Sequence, residues 1–152
     1  VASANNELGT IALRAERYDD AERYYRENIA IYQSLYGPRH WLIGIAESNL
    51  ASVAMGRRDY PAAEQSYRLA LSQFVEGQGP EHLNSAIAHV KLGRSLLRQG
   101  RFREAAAESR RGYDLLTAKG DAPEGFLKAA RTDLAESYER LGDHEEATRF
   151  GP

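Results

Sequence analysis

Apolar and polar positions along this chain repeat with a period of 42 residues. One series that keeps this step consists of Leu8, Leu50, Leu92 and Leu134. A second series consists of the small residues Ala21, Ala63, Ala105 and Ala147. Independent series that stay in register over several steps indicate a repeat array, in which each unit packs on its neighbours. We therefore divide the chain into about three and a half repeats, at 2–38, 39–80, 81–122 and the truncated 123–152.

The first half of each period has the pattern of an amphipathic helix. Leu8 and Ala12 are one helical turn apart, and the residues one, two and three periods later keep that spacing. An i, i+4 pair of this kind predicts one buried stripe on each helix. The break that follows contains Gly56, Gly100 or Gly142, which we expect to take the left-handed conformation that ends a helix.

The second half of each period is also helical. Ala21 and Tyr25 recur one period later, and a small residue at this point lets two helices approach closely. Gly-Pro pairs at 37–38 and 79–80 end the second helix, since proline excludes the preceding residue from helical geometry. We predict an all-α solenoid of antiparallel helix pairs with no strand. Its helices are expected at about 2–15, 18–35, 40–56, 60–76, 82–99, 102–119, 123–141 and 144–150.

The amino-acid sequence of the repeats resembles the tetratricopeptide repeat (TPR), whose ordinary form has 34 residues. The stretch Asp20-Ala21-Glu22-Arg23-Tyr24-Tyr25, with the closing Tyr36-Gly37-Pro38-Arg39-His40, is similar to the longer repeats of kinesin light chains and of bacterial tandem-repeat proteins. The resemblance covers essentially the whole chain. It implies a right-handed superhelical solenoid whose concave wall is formed by the first helix of each pair.

Residues 1–152 are expected to form a single repeat domain. The chain starts at Val1 with neither an initiator methionine nor a basic leader, and its last predicted helix is cut short. We therefore expect a fragment of a longer protein. The exposed C-terminal repeat, in which the Leu134 helix is expected to be uncovered, suggests weak self-association.

Composition excludes several classes of function. The net charge of −2 gives no general attraction to nucleic acid or to acidic membranes, and no apolar run approaches the roughly 20 residues of a membrane span. The chain has no cysteine, which suits a cytoplasmic protein. His40 and His82, one period apart, are interpreted as turn residues, and His144 as a replacement for a core aromatic residue. Neither metal-ligand spacing nor a catalytic motif is present, so we expect neither an enzyme nor a cofactor.

Candidate ligand-binding residues lie on the side of the first helices opposite the leucine stripe. They are Asn6, Thr10, Ser48, Asn49, Ser52, Lys91, Arg94, Arg98, Asp133 and Glu136. Amide and hydroxyl groups suit an extended peptide, because its backbone presents N–H and C=O groups that need partners. Asn49 carries both a donor and an acceptor, which makes it the best single candidate for such a contact. We expect a protein or peptide ligand in the concave groove.

The cations of the third repeat have two interpretations. Lys91, Arg94 and Arg98 share one helical face, where they could hold a carboxylate or phosphate of a partner. They could equally form a solvated face, or pair with Asp133 and Glu136 of the next first helix.

Some TPR domains grip the C-terminal carboxylate of chaperone tails with five side chains. The positions that match this clamp hold Asn6, Thr10, Asn49, Ile87 and Lys91. Only the asparagine at 49 is retained, while Lys91 is a replacement of like charge. We therefore expect no carboxylate-clamp binding.

The sequence thus favours a non-catalytic module for protein interaction. A second hypothesis makes it the regulatory or docking part of a larger signalling enzyme, such as a bacterial serine/threonine kinase. A third hypothesis is self-assembly by end-to-end stacking of repeats.

Overall fold

The structure, a computed structural model, describes all residues 1–152 and contains eight α-helices and no strand. The helices are α1 Ala2–Arg14, α2 Tyr18–Tyr36, α3 Trp41–Gly56, α4 Tyr60–Gln78, α5 Leu83–Arg98, α6 Phe102–Lys119, α7 Glu124–Leu141 and α8 His144–Phe150. The predicted all-α fold of helix pairs is confirmed. The periodic pattern located every helix, because both helices of a repeat bury a stripe with helical spacing.

The helices form two compact units, Val1–Gly79 (unit 1) and Pro80–Pro152 (unit 2). Unit 1 contains α1 to α4, and unit 2 contains α5 to α8. Within each unit, consecutive helices pack on one another, and the two first helices also touch, α1 on α3 and α5 on α7. Every unit therefore holds two repeats, while the assignment of the whole chain to a single domain stays a prediction.

The turn between the two helices of a repeat uses the same backbone conformation each time. A left-handed residue lies one period apart at Glu16, Arg58, Gly100 and Gly142. The expectation that Gly56 takes this conformation was wrong, since Gly56 ends α3 and Arg58 makes the turn. Gly56 is needed for close packing instead, because a Cβ there would lie 2.5 Å from the ring of Tyr18.

Histidines begin the first helices of repeats two and three. Nδ1 of His40 accepts a hydrogen bond from the backbone N–H of Leu42, and Nδ1 of His82 accepts one from Asn84, both at 3.1 Å. These caps satisfy N–H groups that a helix start leaves without partners, which accounts for the recurrence. The expectation for His144 was wrong, because its side chain is exposed and lies 3.1 Å from Glu139.

The two helices of each repeat approach closely at small residues. A Cβ on Gly9 of α1 would lie 2.6 Å from the ring of Tyr25 in α2. In unit 2, a Cβ on Gly93 of α5 would collide with the hydroxyl of Ser109 in α6. Ser109 is fully buried at the position that Tyr25 occupies in the first repeat. The pair of Gly93 and Ser109 in repeat three therefore replaces the pair of Gly9 and Tyr25 in repeat one. Shape complementarity at these contacts fixes how the helices of a repeat pack.

The leucine series is not buried uniformly. Leu92 and Leu134 are completely buried, whereas Leu8 is 43% exposed because no helix of unit 1 covers that side of α1. The expectation that the helix around Leu134 is uncovered was wrong for Leu134 itself, although Lys128, Arg131 and Thr132 of the same helix are exposed. Leu134 packs in a cluster with Ala106 and Phe150, so the short α8 is sufficient to cover it.

We expect Gly93→Ala to lower the free energy of unfolding of the chain by about 1–3 kcal/mol, the usual cost of overpacking a close contact. Besides the hydroxyl of Ser109, the added methyl would lie 3.0 Å from the backbone nitrogen of that residue. Urea denaturation followed by circular dichroism measures the change. Gly125→Ala in α7 is the matched control, because a Cβ there meets open space. Equal unfolding midpoints for the two variants would rule out the close contact.

Candidate ligand-binding faces of the first helices

In unit 1, polar side chains of α1 and α3 meet on one surface, which we call the amide face. It is formed by Asn6 and Thr10 of α1 with Asn49 and Ser52 of α3, all half-buried. Nδ2 of Asn49 donates a hydrogen bond to Oδ1 of Asn6 at 2.9 Å. This bond links the first helices of two successive repeats and orients both amide groups.

The hydroxyl groups of the amide face are held by tyrosines of the second helices. Thr10 Oγ1 lies 3.2 Å from the hydroxyl of Tyr25, and Ser52 Oγ lies 3.5 Å from that of Tyr67. Both tyrosines are buried and stand one period apart. From the sequence, both tyrosines were predicted only to be core residues. Because the tyrosine and the hydroxyl residue that it contacts both recur with the 42-residue period, the sequence could have indicated this hydrogen bond.

Two polar groups of the amide face remain available. The Oδ1 of Asn49 accepts no hydrogen bond within the chain, and the Nδ2 of Asn6 donates none, so one acceptor and one donor are left side by side. Ser48 does not belong to this surface, because it is only 8% exposed and its carbonyl accepts the hydroxyl of Ser52 at 3.2 Å. The face can therefore offer paired amide bonds to an extended backbone.

In unit 2, the same helix positions carry charge. Arg94 of α5 binds Asp133 of α7 through two bonds of 3.0 Å, from Nε to Oδ2 and from Nη2 to Oδ1. Asp133 is only 3% exposed. Burial raises the pKa of its carboxyl, an effect that the Arg94 guanidinium opposes. The sequence left open whether these residues bind a partner, form a solvated face or pair with one another. Arg94 and Asp133 pair with one another, whereas Arg98 and Glu136 are exposed to solvent.

Lys91 has neither an ion-pair nor a hydrogen-bond partner, and unlike the equally unpaired Arg98 it is not exposed. Its side chain is half-buried, and this burial lowers the pKa of its ammonium group. A cavity of about 280 Å³ opens beside it, lined by Val90, Phe126 and Ala129 among others. We call this arrangement the Lys91 pocket. It combines an uncompensated cation with an apolar wall.

The structure thus divides the predicted residues between two surfaces, one in each unit.

Phe126 was missed by sequence reasoning, because an aromatic residue in the first turn of α7 has no counterpart in the periodic series. No group of three or more acidic, histidine or cysteine side chains is arranged to hold a metal ion. None of the eight helices combines the length and the apolar character that crossing a bilayer requires.

Comparisons with known proteins identify the fold. The family profile described as tetratricopeptide repeat matches residues 1–43 and 42–118. No curated protein matches the sequence significantly. The structure of BtubC (BKLC) from P. vanneervenii is similar, with a TM-score of 0.88, 20% identity, and coverage of 98% of this chain and 59% of that one.

Two structures from Podosopora anserina, described as kinesin light chain with nearly identical TPR-like repeats, are also similar. Both have a TM-score of 0.83 and cover 97% of this chain and 70% of theirs, at 17% and 16% identity. At such identities the likeness concerns the fold alone. This chain spans 59% of the length of BtubC, so a similar protein can contain additional residues outside the shared region.

We expect Arg94→Met to destabilise the protein by about 2 kcal/mol near neutral pH, since it leaves the buried Asp133 carboxylate without its partner. Burial raises the folded-state pKa of Asp133, so the folded state holds a proton more tightly than the unfolded state does. Since Arg94 lowers this pKa, the carboxyl has a still higher pKa in the variant. The penalty is therefore present in full above the pKa of the variant, and it shrinks as the pH falls below that value and Asp133 becomes neutral. Urea titrations over a range of pH measure this trend.

Arg39→Met is the control for this prediction, since the Arg39–Glu76 pair, at 2.8 Å, is exposed on both sides. Exposed pairs contribute little, so its effect on stability should be small. Identical losses for the two variants at every pH would show that Asp133 does not need Arg94.

Proposed function

Because this chain belongs to the tetratricopeptide repeat family, we propose that it is a non-catalytic module whose first-helix faces bind an extended segment of a partner protein. Repeats of this family act as scaffolds for protein–protein interaction, and first helices line the binding wall of such solenoids. The amide face of unit 1 and the Lys91 pocket of unit 2 are the proposed contact surfaces.

The observation that carries the proposal is the isolated cation of Lys91. Holding an ammonium group in a half-buried position without a counter-charge costs stability. The fold does not require lysine there, since the residues at the same position of the other repeats are Glu7, Asn49 and Asp133. A carboxylate or phosphate of a bound partner would compensate the charge, and the apolar cavity beside it would accept an adjoining side chain.

The amide face supplies the second part of the proposal. An extended segment presents alternating N–H and C=O groups, which must find partners when they leave water. The available acceptor of Asn49 and donor of Asn6 match one such pair. Their mutual bond of 2.9 Å already fixes both side chains, so little conformational entropy is lost on binding.

We expect the double variant Asn49→Ala, Lys91→Met to lose partner proteins that the unchanged chain captures from a lysate of the source organism. The substitutions remove the amide contact and the unpaired charge, while methionine keeps the aliphatic length of lysine. Quantitative mass spectrometry of the captured proteins measures the loss, and at least tenfold depletion of a specific partner is expected.

The control is Gln65→Ala, Arg111→Met, which likewise removes one amide and one cation, at exposed positions of the second helices α4 and α6. This control should capture the partner normally. Equal capture by both double variants would place binding elsewhere and refute the role of the first-helix faces.

A further inference from the structure

We propose that Lys91 is a site of covalent modification, at which an acyl phosphate transfers a short acyl group to the side-chain amine. The acyl chain occupies the apolar Lys91 pocket, and Arg94 holds the phosphate. The modification removes the cation that the proposed partner binds. This regulatory consequence rests on the proposed function, whereas the modification itself does not.

The amine of Lys91 has the surroundings of a nucleophile. Only a neutral amine can attack a carbonyl carbon, and an ordinary exposed lysine is almost entirely protonated near neutral pH. The ammonium group of Lys91 is half-buried, and no counter-charge contacts it. Burial therefore lowers its pKa, which enlarges the neutral fraction of this amine at any given pH.

The wall beside this amine is apolar. Val90, Phe126 and Ala129 line the cavity of about 280 Å³ that Lys91 shares with Arg94. This volume is larger than that of a short acyl chain. Each methylene group that leaves water for such a wall is stabilised, so the pocket should favour a butyryl group over an acetyl group.

Arg94 provides a cation for the phosphate group. Its Nε and Nη2 atoms bind Asp133, whereas its Nη1 atom forms no bond within the chain. The side chain of Arg94 is 40% exposed, so the free N–H groups are accessible to a ligand. Guanidinium groups form strong charge-assisted bonds to phosphate. Because phosphate is the leaving group, such bonds also stabilise the charge that develops on it during the reaction.

The reaction is an acyl transfer that needs no further reagent. The lone pair of the neutral Lys91 nitrogen attacks the carbonyl carbon of the acyl phosphate, and a C–N bond forms. The bond from this carbon to the bridging oxygen breaks, and inorganic phosphate leaves with the electron pair. The nitrogen loses one proton to phosphate or water. The product is a neutral amide, so the half-buried charge disappears.

The test compares the three lysines of the complete 152-residue chain, since Lys119 and Lys128 are exposed and lie outside the Lys91 pocket. The chain is incubated with acetyl phosphate or butyryl phosphate, and mass spectrometry of its peptides gives the acylation rate of each lysine. We expect Lys91 to react about fivefold faster than Lys119 or more, and this ratio to be larger for butyryl phosphate. Equal rates at the three lysines would overturn the proposal, as would a slower rate at Lys91.

Acetic anhydride, which carries no phosphate, tests the role of Arg94. Its preference for Lys91 over Lys119 should be smaller than that of acetyl phosphate, because Arg94 has no phosphate to bind. The same preference for both reagents would refute an acyl phosphate as the donor that this site selects.

Two variants of the cavity wall separate the effect of charge from that of shape. Ala129→Glu places a carboxylate in the lining beside Lys91, and Ala129→Gln adds a side chain of nearly the same size without the charge. We expect the rate at Lys91, relative to Lys119 of the same molecule, to be about tenfold lower with glutamate than with glutamine, since a counter-charge favours the ammonium form. Equal rates in the two variants would show that the missing counter-charge does not activate Lys91.

Acylation is measured on the isolated chain, so its outcome is independent of the capture of partner proteins. Slow acylation of Lys91, combined with capture that depends on Asn49 and Lys91, would overturn the modification site alone. Rapid acylation of Lys91, combined with capture that the double variant leaves unchanged, would support the modification site and refute the proposed function.

Discussion

The close contact between the two helices of each repeat is the interaction on which the rest of this structure depends. Gly9 accepts the ring of Tyr25, and the smaller pair of Gly93 and Ser109 makes the equivalent contact in repeat three. A methyl group would be too large at either glycine, so the contact restricts both residues at once. A small residue stands at this position every 42 residues, as Gly9, Ala51, Gly93 and Ala135, so the helix pairs recur as well. The first helices are thereby brought side by side within each unit.

Positions outside that contact are free to differ, and the position before each leucine shows what this freedom allows. Asn49 bonds to an amide of the preceding first helix, whereas Asp133 is buried beneath a guanidinium. Lys91 occupies the equivalent place with no partner at all. One backbone site therefore carries a neutral amide, a paired anion and an unpaired cation. The difference in chemistry between repeats, rather than the repeated packing, is what a partner can recognise.

The sequence was sufficient for the helices and for the side of each first helix that carries polar groups, since both follow from periodicity. It could not predict how deeply those groups are buried, because burial depends on side chains of neighbouring helices. Ser48 and Asp133 were expected on an open surface, yet both are buried. The left-handed conformation of Arg58 was equally hidden, because a nearby glycine at 56 offered the more usual explanation.

The half-buried, unpaired ammonium group of Lys91 is the feature on which the proposed binding role most directly depends. The chain has three lysines, so NMR of protein labelled with carbon-13 and nitrogen-15 at lysine gives a simple spectrum, in which the Lys91 signal is the one that Lys91→Met removes. We predict that this signal titrates with a pKa below the ordinary lysine value of 10.5, because burial disfavours the charged form. Titration at or above that value would contradict the account, since it would mean that the group is fully solvated or already paired.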